Sequence, residues 1–183
     1  TNQHWFAELI QGGQTAVTAT AVLATRSATW ESTELRAPDV PAANTLKPWP
    51  STTGPAWIKR YDLRFVQGLL TLSGTPAQDS ASVIWVRDEP PRPLDFLTLM
   101  AISDVFFPRT FIRQQKLGVA GTVSITTHFH ADAETLARQG DRSLLAAARG
   151  QRFHRNYFDQ IAELWSDGGE LLATSSQMVY FKD

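Results

Sequence analysis

The chain has 183 residues, of which 43 % are hydrophobic and 19 % are charged, enough for one large domain or two small ones with a buried core. Basic and acidic residues nearly balance and the net charge is −1, so the charge does not favour nucleic acid or an anionic membrane as a partner. The absence of cysteine excludes a disulfide framework, a thiolate metal site and a cysteine nucleophile. No apolar run approaches the roughly 18 residues that a membrane helix needs, and we expect a cytoplasmic protein.

The first third of the chain predicts strands followed by a linker. Residues 15–25 read TAVTATAVLAT, whose alternation and β-branched side chains predict a strand, and the glycine pair Gly12-Gly13 predicts a bend before it. A shorter strand is predicted at 28–33. Five prolines lie between residues 37 and 55. Because proline removes a backbone donor and restricts the residue before it, this stretch is predicted to be a linker.

The middle of the chain predicts strands at 61–70 and 82–87, and then a long helix. Residues 94–107 read LDFLTLMAISDVFF, which is apolar nearly all round and therefore predicts a buried central helix that ends before Pro108. A further strand is predicted at 122–130, where polar and apolar residues alternate.

The C-terminal part predicts a long hairpin. Residues 144–165 are too many for an ordinary strand and indicate one bent strand or two segments joined by a bulge near Arg155-Asn156. Asp-Gly-Gly at 167–169 predicts a hairpin turn, with a returning strand at 171–182. An antiparallel sheet wrapped round one long central helix is an α+β hotdog fold, although another kind of α+β roll fits the same pattern.

Asp104 is the most informative candidate for chemistry. Leu97, Ala101 and Asp104 fall at helical spacing, which places a carboxylate on an apolar stripe near the helix C-terminus. Burial and the negative end of the helix dipole would both raise its pKa, as suits a general base. The alternative is that Asp104 points outward and caps the frayed end of the helix.

Two further polar residues lie on predicted strands. The alternation places Thr122 on a polar face, opposite Val123 and Ile125; a threonine at a strand start is commonly no more than a β-former. Gln177 shares a face with Val179, so its amide requires hydrogen-bond partners. A satisfied core or interface glutamine is the simpler interpretation.

The histidines and the motifs absent from the chain limit other chemistry. His128 and His130 point to the same strand face and could hold a metal with Asp132 or His154, or they are two surface histidines. No nucleophile elbow, phosphate-binding loop, dinucleotide fingerprint or zinc-protease motif is present. We predict neither a metal nor a cofactor.

Several segments, in this order, resemble one known family. WVR at 85–87, LTLMAISDVFFP, GTVSITTHFHA and the long run ending in LLATSSQM are similar to the C-terminal hotdog repeat of acyl-CoA thioesterase II (TesB-like) proteins. AELIQGGQTAVTATAVLAT resembles late strands of the N-terminal repeat. The resemblance implies a partial double hotdog: late strands of an incomplete first repeat at 1–36, a Pro-rich linker at 37–56 and the second repeat at 57–183. The start at Thr1 then leads us to expect that the rest of the first repeat was removed, or is carried by another chain. A homo-oligomer is expected.

The resemblance also implies an activity, the hydrolysis of fatty acyl-CoA thioesters in lipid metabolism. The family's catalytic aspartate, threonine and glutamine fall on Asp104 in AISDVFF, Thr122 in GTVSITT and Gln177 in ATSSQMV. Asp104 would act as base on a water, which Thr122 and Gln177 would orient, with no covalent intermediate. The chain departs from the family at Ala131, where an arginine usually follows Phe-His.

Two other functions are alternatives, of which the residues favour only the first. A hotdog module could hold an acyl chain or acyl-CoA without turnover, since the fold hosts several functions. A hotdog hydratase would present a histidine near its aspartate, and no histidine lies between Asp88 and Gly121.

Overall fold

The computed structural model describes residues 2–50 and 54–182. The chain divides into two compact units, Thr1–Glu34 and Leu35–Asp183. Three short stretches lie outside the described residues. They are residue 1 of the predicted first segment, residues 51–53 of the predicted linker and residue 183 of the predicted second repeat.

The first unit is an antiparallel hairpin of β1 (Asn2–Gln11) and β2 (Gln14–Ala24). The turn is Gly12-Gly13, with φ of 58° and 78°, the left-handed backbone that a two-residue hairpin turn requires. The strand predicted at 15–25 and its bend are confirmed, whereas β1 was not predicted. The strand predicted at 28–33 is wrong, because those residues pair with no strand and β-propensity alone does not create one.

One face of this hairpin is apolar. Directly paired residues share a face, so Trp5 with Ala21 and Leu9 with Val17 form one side, while Glu8 with Thr18 lies on the other. Every described residue up to 34 is exposed, and Trp5 retains 61 % of its accessible surface. A lone two-stranded hairpin is marginally stable in water.

The second unit is built on a six-stranded antiparallel sheet. Its strand order is β3-β4-β6-β7-β8-β5, which leaves β5 and β3 at the edges. The strands are β3 (Tyr61–Gln67), β4 (Ser82–Asp88), β5 (Val119–Phe129), β6 (Leu144–His154), β7 (Tyr157–Trp165) and β8 (Leu171–Lys182). The strands predicted at 61–70, 82–87, 122–130 and 171–182 are confirmed.

The prediction that 144–165 forms two segments meeting near Arg155-Asn156 is confirmed, but a single bent strand and a bulge are both wrong, because a turn joins the segments. Arg155 and Asn156 are the two residues of a tight turn, with φ of 47° and 65°, and β6 and β7 pair across it as a hairpin. Asparagine tolerates the left-handed backbone of such turns, and this was the signal in the sequence. The turn predicted at 167–169 connects β7 to β8 as expected.

Three short helices accompany the sheet: α1 (Phe96–Ile102), α2 (Arg109–Gln114) and α3 (Ala133–Gln139). Short 3₁₀ turns occupy Ala43–Thr45 and Ala56–Arg60. The predicted helix at 94–107 is therefore too long. Asp95 caps the start of α1, its Oδ1 accepting the Thr98 amide at 2.7 Å, and Pro108 disfavours helical backbone in the residue before it.

The prediction that this helix is buried all round is also wrong. Leu99 and Ile102 lie in the core with Ile84 and Val86 of β4, whereas Leu97 on the opposite face is 79 % exposed. In the part of the chain that is described, no helix is long and apolar enough to cross a lipid bilayer.

The start of the Pro-rich segment packs on the sheet. Successive strand residues point to opposite faces, so Trp85 lies on the face away from Ile84 and α1. Its Nε1 donates to the Pro41 carbonyl at 2.9 Å. A second apolar cluster forms there between the sheet and this segment, comprising Val83, Trp85, Leu145 and Trp165 with Ala37, Val40, Ala43 and Leu46.

Candidate active site

Asp104 lies in the turn just after α1, two residues beyond its end. Its backbone amide donates to the Ala101 carbonyl at 3.2 Å, which continues the helix by one tight turn. Asp104 is exposed and continues the exposed side of α1 that carries Leu97 and Ala101, rather than a buried stripe, which corrects the predicted placement. Partial burial of the carboxyl group still raises its pKa above 3.8, and a hydrogen bond from Gln177 opposes that rise. The direction is the one expected of a base.

Gln177 lies on the buried face of β8 and is 6 % exposed. Its Nε2 donates to Asp104 Oδ1 at 3.0 Å and makes a longer contact of 3.4 Å with the Ser103 carbonyl. Its Oε1 accepts a long hydrogen bond of 3.4 Å from Thr122 Oγ1. Because the Asp104 carboxylate and the Ser103 carbonyl can only accept, the amide nitrogen of Gln177 faces them, and this fixes the orientation of the side chain.

Thr122 reaches this cluster because β5 contains a bulge. Thr122 pairs with Val179 and Ser124 with Met178, so Val123 is the extra residue. A bulge reverses the alternation along a strand, and Thr122 therefore shares a face with Ile125 and Gln177. The prediction that Thr122 lies opposite Ile125 is wrong for this reason.

Ser103 and Thr127 support the end of α1 through their hydroxyl groups. Neither was predicted from the sequence as part of the site. Ser103 is fully buried, and its Oγ donates to the Met100 carbonyl at 2.7 Å. The same hydroxyl lies 3.0 Å from Thr127 Oγ1 on β5. Since Asp104 follows Ser103 directly, this pair fixes the backbone from which the carboxylate projects. The serine next to Asp104 was the only sign of this support in the sequence. Its partner Thr127 is 24 residues away, and no local pattern connects the two.

Replacement of Thr127 by valine tests this support. We expect kcat to fall about fivefold, as the loss of one hydrogen bond of about 1 kcal/mol implies, with KM unchanged because no substrate contact is removed. Thr126→Val is the matched control, since Thr126 is exposed on the other face of β5. Steady-state kinetics on both variants provide the measurement, and equal losses in the two would contradict the role.

Arg109 anchors the segment that follows Asp104. The residue is completely buried; its Nη1 donates to the Ser80 carbonyl and to Ser82 Oγ, each at 2.9 Å, and Nε donates to the Phe107 carbonyl at 3.1 Å. The guanidinium also lies 5.4 Å from the centre of the Phe106 ring. Burial lowers its pKa to about 9, so it remains a cation at neutral pH.

An aromatic cluster begins three residues beyond Asp104. The Phe107 ring stacks on Phe65 at 6.1 Å and meets Trp49 and Trp57 at 6.3 and 6.0 Å. Tyr61 lies beside this cluster. Burial raises the pKa of the Tyr61 hydroxyl, and the negative charges of nearby carboxylates, Asp104 among them, raise it further. The Asp104 carboxylate therefore lies close enough to Tyr61 to interact with it electrostatically.

The structure does not bring the two histidines into a metal site. His130 Nε2 lies 3.0 Å from Thr174 Oγ1, and Asp132 is the cap of α3, accepting the Thr135 amide at 2.8 Å. Within residues 2–50 and 54–182, no three histidine, aspartate or glutamate side chains are grouped to hold a metal ion.

Comparison with known protein families identifies the family of this chain. Residues 37–181 match the family described as the acyl-CoA thioesterase C-terminal domain, which is most of the chain. The chain belongs to this family. It is accordingly an acyl-CoA thioesterase, a hydrolase of thioesters. No curated protein matches the chain.

Solved structures place the thioesterase in the hotdog fold. A conserved protein of unknown function with a hot dog fold from Alicyclobacillus acidocaldarius is 40 % identical, with a TM-score of 0.94; all of this chain aligns with 68 % of that one. The acyl-CoA thioesterase II TesB2 of Mycobacterium marinum is 17 % identical, with a TM-score of 0.72 over 99 % of this chain and 68 % of that one. A tesB protein of Mycobacterium avium is 16 % identical, with a TM-score of 0.73 over 100 % and 67 %. The last two likenesses establish the fold alone.

Proposed function

We propose that this thioesterase hydrolyses fatty acyl-CoA to the free acid and CoA with a water activated by Asp104, which Thr122 and Gln177 orient. The observation that carries the proposal is the convergence of the Asp104 and Thr122 side chains on the Gln177 amide. Gln177 joins Asp104 at 3.0 Å and Thr122 at 3.4 Å, although these residues come from a turn and two strands that are distant in sequence.

The chemistry needs these groups, the substrate and one water molecule. Asp104 takes a proton from the water as its oxygen bonds to the thioester carbon, and the carbonyl electrons move to oxygen. When the carbonyl re-forms, the carbon–sulfur bond breaks and CoA leaves as a thiolate. The proton held by Asp104 returns to that sulfur, which restores the carboxylate. A raised pKa makes Asp104 a stronger base than an ordinary aspartate.

Removal of the Gln177 amide tests the proposal. We expect Gln177→Ala to lower kcat roughly a hundredfold, as loss of one preorganised donor does in other hydrolases, because water and carboxylate lose their shared partner. The measurement is release of free thiol from a fatty acyl-CoA. Gln67→Ala is the matched control, since Gln67 is exposed at the end of β3. Undiminished activity in Gln177→Ala would refute the site, and absence of hydrolysis by the unaltered chain would leave a binding module.

The organisation of the whole protein is part of the same proposal. Residues 1–36 are proposed as late strands of a first hotdog repeat, 37–56 as the linker and 57–183 as the second repeat, in a cytoplasmic homo-oligomer. The exposed apolar face of the β1–β2 hairpin supports this, because the helix side of a hotdog sheet requires a covering layer. The 40 % identical relative is longer, and this chain aligns with 68 % of it. A further first-repeat segment, on this or another chain, would cover the hairpin.

A further inference from the structure

A cleft of about 570 Å³ lies on the second unit, and its lining includes none of the proposed catalytic residues. Its volume is within the range of roughly 300–1,000 Å³ typical of small-molecule sites. One wall comes from α2 and the other from the end of β6. The residues that line these walls are Thr110, Arg113, Gln114, Gln151, Arg152 and Phe153.

The cleft is basic. Arg113 Nη1 donates a hydrogen bond to the Ala77 carbonyl. This bond fixes the side chain without neutralising the charge of the guanidinium. Arg152 is held through its backbone, since its amide donates to Asp159 Oδ1 at 2.8 Å. Neither guanidinium forms an ion pair with an acidic side chain among residues 2–50 and 54–182. Two unneutralised arginines beside two glutamine side chains suit a phosphorylated ligand.

The cleft lies at a defined distance from the proposed catalytic residues. Thr122 pairs with Val179, Val179 with Phe158 and Phe158 with Phe153, so one row of side chains crosses four adjacent strands on the helix side of the sheet. Strands are spaced about 4.8 Å apart, so Thr122 and the cleft residue Phe153 are separated by roughly 14 Å.

We propose that this cleft binds the phosphates of the CoA nucleotide while the thioester lies at Asp104, an inference that rests on the proposed function. From sulfur to the first phosphorus, the arm of CoA has about thirteen bonds and extends roughly 15 Å at the rise per bond of an extended chain. That reach is comparable to the straight-line separation, which is the minimum path because Val179 and Phe158, the side chains between the two ends of the row, are themselves buried. The arm follows the outer surface of α2, and Arg113 and Arg152 hold the phosphates by charge-assisted hydrogen bonds.

The experiment compares two substrates that differ only in the nucleotide, a fatty acyl-CoA and the same acyl group on pantetheine. We expect Arg152→Gln to raise KM for acyl-CoA about fivefold to tenfold, an estimate for a charged hydrogen bond weakened by solvent exposure. KM for acyl-pantetheine and kcat for both substrates stay unchanged. Arg113→Lys, which keeps the charge but loses the planar fork, shifts KM for acyl-CoA in the same direction by less.

The control is Arg149→Gln on the same strand, because Arg149 is exposed and pairs with Glu163 at 3.4 Å outside the cleft. An unchanged KM for acyl-CoA in Arg152→Gln, or equal increases for both substrates, would overturn the inference. Binding of CoA itself, measured by calorimetry on the unaltered chain and on Arg152→Gln, needs no turnover. If hydrolysis is absent but CoA binding weakens in Arg152→Gln, only the proposed function fails.

Discussion

Replacement of Asp104 by asparagine is expected to lower kcat by roughly a thousandfold, within the range that general-base catalysis contributes. The carboxylate is the one group in the proposed cluster that can accept a proton from water near neutral pH. Asparagine keeps the shape, and its Oδ1 can still accept from Gln177 Nε2, so the geometry is preserved while the base is lost. Thiol release at saturating acyl-CoA is the measurement, and Asp39→Asn on an exposed residue is the control.

The pH dependence separates loss of the base from misfolding. The pKa of Asp104 is raised above 3.8, so activity falls as the pH drops through that raised value, where the carboxylate becomes protonated. Asp104→Asn has no such acidic limb. A raised folded-state pKa also means that the folded state binds more protons than the unfolded state, so ionisation of Asp104 costs stability as the pH rises. Asp104→Asn is therefore expected to be at least as stable as the unaltered chain at neutral pH. A large loss of stability would contradict this assignment.

Arg109→Met is expected to reduce the free energy of unfolding by about 3 kcal/mol. Methionine fills much of the volume, but it leaves the carbonyls of Ser80 and Phe107 and the hydroxyl of Ser82 without their buried donor. Relief from burying a cation offsets part of that cost, which is why the estimate lies below the sum of the lost hydrogen bonds. Urea unfolding followed by far-UV circular dichroism gives the value.

Two variants accompany that measurement. Arg60→Met changes an exposed arginine and is expected to alter stability by no more than about 0.5 kcal/mol. Arg109→Lys retains a buried cation with fewer donors. Its free energy of unfolding is expected to lie between those of Arg109→Met and the unaltered chain. If Arg109→Met unfolds at the same urea concentration as the unaltered chain, the anchoring role is refuted.

The sequence predicted most strands because each carries its own local signal. Residues 171–182 come shortly after the Asp-Gly-Gly turn, and the structure has a strand with those limits. The length of the helix was not predictable from apolarity, because Val105, Phe106 and Phe107 are apolar and buried or half-buried without being helical. Their backbone is fixed by Arg109, which bonds to residues 27 and 29 positions earlier, a contact that no local pattern contains.

The candidate site shows the same division between local and long-range information. The buried face of Gln177 followed from strand alternation, whereas the position of Thr122 depended on a bulge that shifts the register by one residue. The identity of the three residues came from family resemblance, and their convergence on one amide required the folded chain. The Ser103–Thr127 pair and the basic cleft involve partners distant in sequence, and neither has a motif.

The packing of the Pro-rich segment has a practical consequence for dissecting the chain. Trp85 donates to Pro41, and the residues around it lie under the segment that begins at Ala37. A fragment cut at residue 57 would bring two tryptophans, Trp85 and Trp165, to the surface beside Val83 and Leu145. An apolar patch of that kind promotes aggregation. The smallest piece suited to isolated study therefore begins before residue 37, where its own chain can shield the outer side of the sheet.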